Sequence, residues 1–366
     1  MNYDYLILGQ GLAGSAVAMR LFQEQASFLV IDNPDTPASS MVAAGIVNPI
    51  TGRKLVKTWL CDVIFDELHS FYPQVEKITN EKFFHPIDLY FPFTTQERQT
   101  EWVSQSADST YQKYVKGIEY NNRYEGTLKS EFGGMIVGQS GYLDIPTYLA
   151  AVKKLLHSNQ QYHESKLEDN ELVIHENHVE WNGHTFKKVI FCDGYENRLR
   201  EHFSFLPYRA VKGELFLVKF DEARFEHIIN KNGFILPIDN DGTCKVGATY
   251  DYYKLTEGTT EKGHEQLVEK LEQITDTPYK ILNHWAGIRP ATYDRRPFVG
   301  QHPEIKPFWI LNGLGTKGVS LSSYFSKHLL DVIEGKVELM PEVDPLRKEK
   351  QVQNKKPRQR NRKKKS

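Results

Sequence analysis

From Asp4 the chain runs DYLILG, a short unbroken apolar stretch of the kind that forms a buried strand. GLAGSAVAMRLFQE follows from Gly11, with Leu12, Ala16, Met19, Leu21 and Phe22 at helical intervals. That spacing predicts a helix with this face toward a sheet. SFLVIDN, ending at Asn33, predicts a second strand. Near the other end, Pro307 to Gly335 repeats the arrangement. Phe308 to Leu311 reads as a strand, Gly313, Gly315 and Gly318 as a loop, and Val319 to Ile333 as a helix. Its inner face is Leu321, Phe325, Leu329 and Leu330. Between the two, GELFLVKF, GFILPI and TCKVGATY predict strands joined by turns such as DNDG.

The break between the first strand and helix carries Gly9, Gly11 and Gly14, the spacing G-x-G-x-x-G. Such a loop turns tightly at the first glycine and lets the backbone approach a pyrophosphate at the second. The third lets the helix pack close to the strand, and the helix N-terminus faces the phosphates. Asp32 ends the second strand eighteen residues after Gly14, where a carboxylate suits an adenosine ribose hydroxyl. The motif alone is weak, but the order strand, loop, helix, strand, acid makes it specific for a dinucleotide. It does not separate NAD from FAD. The second glycine loop is either one more strand–helix unit or a second contact for a long flavin dinucleotide. In the latter case its helix N-terminus would stabilise the anionic reduced ring.

With 366 residues, 40% hydrophobic and 25% charged, the chain is long enough for two domains. No apolar run approaches the roughly 20 residues of a membrane span, and no signal peptide is expected. Cys61, Cys192 and Cys244 are scattered, with no CxxC, which argues against a disulfide framework or zinc site. The histidines show no metal-ligand spacing, and a cytoplasmic location is expected. The net charge of −1 divides unevenly: Arg347 to Ser366 holds eleven Lys or Arg and one acid, a net +10 that leaves −11 on the other 346 residues. This tail lacks apolar periodicity and is expected to be disordered. It is either a solvated end or an arm for RNA or another polyanion.

Further motifs follow in a definite order: SSMVAAGIVNP from Ser39, GYLDIPTYLAAV from Gly141, YRAVKGELFLV from Tyr208, GFILPIDNDGTCKVGATYD from Gly233, HWAGIRPATYDRRPFVGQHPE from His284 and LNGLGTKGVS from Leu311. Together with the first glycine loop, this series resembles the FAD-dependent D-amino-acid oxidase superfamily. The likeness is to glycine oxidase and to the FAD oxidase half of the bifunctional enzyme that modifies tRNA wobble uridines. The resemblance implies FAD as cofactor and an α/β fold, α+β overall. A Rossmann-like FAD-binding domain (residues 1–82, 138–205 and 284–345) would be interleaved with an antiparallel β-sheet substrate domain (83–137 and 206–283), followed by a tail from 346. It also implies that FAD is held by Gly9, Gly11, Leu12, Ala13, Gly14, Asp32, Asn33, Ala43, Ala44, Gly45, Gly194, Gly313, Gly315, Thr316, Lys317 and Gly318. Ala43, Ala44 and Gly45 are small enough for the backbone to pass close to the isoalloxazine. Some sarcosine oxidases carry a flavin-linked cysteine near the position of Gly287; none stands here, so FAD is expected to be non-covalent.

In the family, a C–N bond is oxidised by hydride transfer from the α-carbon to the flavin, the imine hydrolyses, and no side chain need act as catalyst. Arg289, in WAGIRPAT, matches the arginine that holds the substrate carboxylate; guanidinium is a planar fork for such a group. The alternative for Arg289 is a structural ion pair, with Asp294 for example. Phe234 stands where relatives often carry a tyrosine whose hydroxyl helps bind that carboxylate, which puts simple glycine or D-amino-acid oxidation in doubt. Arg53 and Lys54 bring positive charge near the flavin or substrate, or are solvated. The functional readings are oxidation of a small amino acid or N-substituted glycine, oxidation of a carboxymethylaminomethyl wobble uridine in tRNA, and a flavin-binding scaffold without activity.

Overall fold

The computed structural model describes residues 1–35, 39–51 and 56–347. The opening apolar run forms the strand Asn2–Leu8. It lies parallel between Phe28–Asp32 and His184–Phe191. Tyr162–Glu164 extends the sheet past Phe28–Asp32. Phe308–Asn312 joins His184–Phe191 in parallel, with Phe298–Gln301 antiparallel outside it. Parallel strands are covered on both faces, which is why the runs are unbroken. Leu6, Ile7, Val30, Ile190 and Ile310 are all fully buried.

The two predicted helices form as Leu12–Gln23 and Gly318–Ile333 and pack on each other. Leu321, Phe325, Leu329 and Leu330 are buried as expected. The first helix is buried on more than one face. Ala13, Val17 and Ala18 are covered as well, because Ile145–Ser158 also packs on it.

The second sheet holds eight strands in the order Tyr279–Arg289, Val211–Phe220, Thr243–Gly247, Phe234–Pro237, Ile228–Asn230, Leu89–Pro92, Gly134–Val137 and Val115–Glu119. It is antiparallel except that Ile228–Asn230 runs parallel to Leu89–Pro92. The helix Glu261–Glu272 covers one face, burying Leu267 and Leu271 beside Phe216 and Val246.

Two expected boundaries shift. Tyr279–Arg289 pairs with Val211–Phe220 along its whole length, so the line at residue 284 falls inside a strand and the sheet ends at Arg289. Arg347, expected in the tail, is fixed to the body. Its guanidinium pairs with Asp294 at 2.8 Å, donates to the Arg296 carbonyl and lies over the Phe298 ring. The rest of the basic tail, 348–366, lies outside the described residues. Among the described residues no helix is long and apolar enough to cross a membrane.

Candidate active site

The C-terminal ends of the parallel strands and one face of the second sheet enclose a cleft of about 2390 Å³. Ordinary small-molecule pockets measure roughly 300–1,000 Å³, so this one has room for an extended dinucleotide and a second ligand. It is bordered by residues from both ends of the chain.

The first glycine loop divides its labour. Gly9 has φ +95°, and a Cβ there would lie 2.8 Å from the Asp193 Cα. A Cβ on Gly14 would lie 1.8 Å from the Gly9 carbonyl oxygen. Both positions are closed by neighbouring protein, and Gly14 does not border the cleft. Gly11 differs: a Cβ there meets only the Ser40 Oγ, at 3.4 Å. Its open side is the cleft. The helix that follows has no cap from Gly11; its Leu12 N–H reaches the Ser40 Oγ at a long 3.4 Å, and the next N–H groups of the first turn are left for a ligand. Leu12 and Ala13 border the same space. Asp32 accepts the Gln10 N–H at 2.8 Å and the Tyr162 hydroxyl at 3.2 Å. Burial raises its pKa, and those two bonds oppose the rise. A carboxylate has capacity for further donors, so a ribose hydroxyl still fits. These features suit a bound dinucleotide, with Asn33 beside them on the cleft wall.

Ala43, Ala44 and Gly45 border the cleft after the short helix Ser39–Val42. Gly45 is small for a different reason than expected: a Cβ there would lie 2.0 Å from the Leu143 carbonyl oxygen, so the strand behind it requires the glycine. Gly194, Gly313, Gly315, Thr316, Lys317 and Gly318 gather on the same side. Asn312, which the motif reading passes over, ties two of these loops together. Its side chain donates to the Gly194 carbonyl at 3.1 Å and accepts the Gly313 N–H at 2.7 Å. Lys317 donates to the Thr58 hydroxyl at 3.3 Å. Burial, then the charges of Arg296 and Arg295, push its pKa down to about 8.

Across the cleft stands Arg289, the last residue of its strand. Strand alternation on Val211–Phe220 turns Val211 and Leu215 toward the cleft. Lys212 and Glu214 are buried on the opposite face, where Glu214 accepts from Thr260. Gly213 lies between them and supports the arginine. A Cβ on Gly213 would fall 2.0 Å from a guanidinium nitrogen, so the group lies directly on the glycine backbone. The Tyr250 ring faces it at 5.2 Å. Among the described residues the guanidinium makes one hydrogen bond, a long one of 3.5 Å to the Thr249 carbonyl. Burial lowers its pKa. Among the described residues no carboxylate pairs with it. Asp294, the alternative partner, is taken by Arg347. Phe234 borders the cleft with its ring against Gly247, its partner in the ladder. A Cβ on Gly287 would strike Val42, and among the described residues the cysteine that borders the cleft is the buried Cys192. Arg53 and Lys54 lie outside the described residues.

One cluster of side chains lies outside the cleft. His175, His178 and Glu180 share a face of the hairpin Val173–Ile174/Val179–Trp181, and their ligand atoms lie within 4.8 Å of one another. Cross-strand pairing, which spacing alone does not display, brings them together.

The family of FAD dependent oxidoreductases, DAO, matches this chain over residues 4–332. Glycine oxidase of Pseudomonas aeruginosa is 26% identical over 144 residues, 38% of each chain. The tRNA 5-methylaminomethyl-2-thiouridine biosynthesis bifunctional protein MnmC of Legionella pneumophila is 22% identical over 339 residues, 83% of this chain and 46% of that protein. The matches thus span less than half the length of these curated relatives. The crystal structure of glycine oxidase from Geobacillus kaustophilus shares the fold, with a TM-score of 0.76 at 17% identity over 91% of this chain and 95% of that one. The family match covers most of the chain, and the chain belongs to the DAO family of FAD-dependent oxidoreductases.

Proposed function

We propose that this DAO-family enzyme oxidises the C–N bond of a small amino acid or N-substituted glycine, with non-covalent FAD in the cleft. The observation that carries the reading is Arg289: a guanidinium laid on Gly213 and faced by Tyr250, bordering the cleft and without a carboxylate partner among the described residues. A cation so placed is incomplete until an anion arrives, and its planar fork donates two parallel hydrogen bonds to a carboxylate. Bound FAD would supply the two-electron acceptor for the amine's α-carbon hydride. The chain's own residues do the rest. Arg289 holds the carboxylate and so fixes the α-carbon. Phe234 and Leu215 give that side of the cleft an apolar wall that keeps water away from the bond being broken. Gly11 and the uncapped helix behind it receive the pyrophosphate, and Asp32 the ribose. Lys317 and the N-terminus of Gly318–Ile333 present positive charge on the cofactor side.

Anaerobic mixing of the yellow holoprotein with glycine, sarcosine, D-amino acids and proline tests the reading. Bleaching of the flavin by at least one of them is expected. Arg289→Lys, which keeps the charge and loses the fork, should weaken that substrate by roughly 2–4 kcal/mol with normal flavin content. Unchanged reduction kinetics would remove Arg289 from the site.

A second reading, oxidation of a modified uridine in tRNA, is favoured by the rim. Tyr252 and Tyr293 are 40% and 45% exposed, and Arg209 lies 4.7 Å and 5.3 Å from their rings. Exposed tyrosine and arginine planes of this kind stack unpaired bases. Deleting 348–366 should then weaken tRNA binding and flatten its salt dependence. Equal affinity and slope with and without the segment would exclude a role for it in RNA binding.

A further inference from the structure

Arg289 has a cationic neighbour that no motif announces. Lys270 comes from the helix Glu261–Glu272, which covers the face of the second sheet turned away from the cleft, yet its side chain borders the cleft. Its Cδ passes 3.8 Å from where a Cβ on Gly233 would sit, next to Phe234. Its ammonium donates to the Ala248 carbonyl and stands 5.9 Å from the centre of the Tyr250 ring, the same ring that faces Arg289. Neither cation has an ion pair among the described residues. Glu269, on the helix with Lys270, does not border the cleft, and Glu257, which does, is exposed. Burial lowers the pKa of Lys270, the charge of Arg289 lowers it further, and Glu269 partly opposes the fall.

Two cations that repel each other beside one aromatic ring, each hydrogen-bonded among the described residues to a backbone carbonyl alone, leave a local charge of about +2 to be met. One carboxylate neutralises half of it. We infer that the site selects amines with a second carboxylate beside the glycine unit, Arg289 holding one and Lys270 the other. Such a substrate is an N-(carboxyalkyl)glycine. The aromatic Phe234, which lacks a hydroxyl, fits this arrangement, since the second donor comes from a different element. Lys270 is thus a specificity-determining residue, and the inference rests on the proposed reaction only for the word amine.

Calorimetric titration of the FAD-bound protein with malonate and with acetate tests it without turnover. Malonate is expected to bind at least about tenfold more tightly than acetate, and Lys270→Gln to bring the ratio close to one. The same variant should lose the preference for iminodiacetate over sarcosine in anaerobic flavin reduction. Equal affinity of the native protein for both acids, absence of binding by either, or an equal loss of both in Lys270→Gln would overturn the inference. If malonate is preferred through Lys270 but no amine reduces the flavin, the selectivity stands and the proposed reaction fails.

Discussion

On the side of the cleft built by the parallel sheet, the wall is largely backbone: Gly9, Gly11, Ala13, Gly313, Gly315 and the start of a helix. On the side built by the second sheet, the wall is long side chains: Arg289, Lys270, Tyr250 and Phe234. A backbone wall offers N–H groups in fixed positions and tolerates few changes, because its shape depends on atoms that cannot move aside. A side-chain wall takes its charge and shape from groups that can be exchanged one at a time. The first suits a cofactor that never changes, the second a substrate that differs between relatives.

The largest effects should come from the backbone wall and from the glycine packed behind it. Gly14→Ala places a methyl 1.8 Å from the Gly9 carbonyl, which forces the loop or helix to shift. A loss of about 3 kcal/mol or more in denaturant unfolding is expected. Gly11→Leu, three residues earlier, has only Ser40 Oγ near its Cβ. The apoprotein should unfold within about 1 kcal/mol of the native chain, yet purify without flavin. If both variants bind FAD normally, the backbone wall is not the cofactor's.

Next in size is the floor under Arg289. In Gly213→Ala the three atoms nearest the new methyl all belong to the guanidinium, the movable end of a side chain. Flavin content and thermal midpoint should stay near native, while KM for the amine rises roughly 10- to 100-fold, about 1.4–2.8 kcal/mol. A rise in neither KM nor Kd would mean that the arginine does not need that floor.

The smallest effect sharpens the comparison from the cofactor side. Lys317 has its pKa pushed down from 10.5 to about 8 in the fold. Below pH 8 it is charged in both states and the full cost of burying the charge is present. Between pH 8 and 10.5 the unfolded chain binds the proton and the folded one does not, so the apoprotein gains stability as pH rises. The slope is at most about 1.4 kcal/mol per pH unit. Urea midpoints of the apoprotein at pH 7.5 and 9.5, native beside Lys317→Met, check this; an equal pH response in the two chains would place the cost elsewhere.

The same division explains what could be read from the sequence. The first loop, both predicted helices and the strands around them are local: periodicity and glycine spacing within some thirty residues specify them. Arg289 was legible only through its motif. What makes it a site was not, because Gly213, Tyr250 and Lys270 come from a neighbouring strand, a loop and a helix. Lys270 also follows Leu267 and precedes Leu271 on an amphipathic helix, where a lysine ordinarily reads as solvated. The long helix Cys61–Thr79 escaped as well. It carries Pro73 within it and left-handed residues, Leu60 and Asn80, at its ends, with no capping side chain to mark its start.

The clasp between Arg347 and Asp294 ties residue 347 to the turn that holds Thr292 and Arg296. Tyr293, Arg295 and Arg296, which flank that aspartate, border the cleft. One rim of the opening is therefore braced by a residue more than fifty positions further along the chain. Whatever loosens that ion pair also frees the rim, so the entrance to the cleft and the anchoring of Arg347 are mechanically one unit.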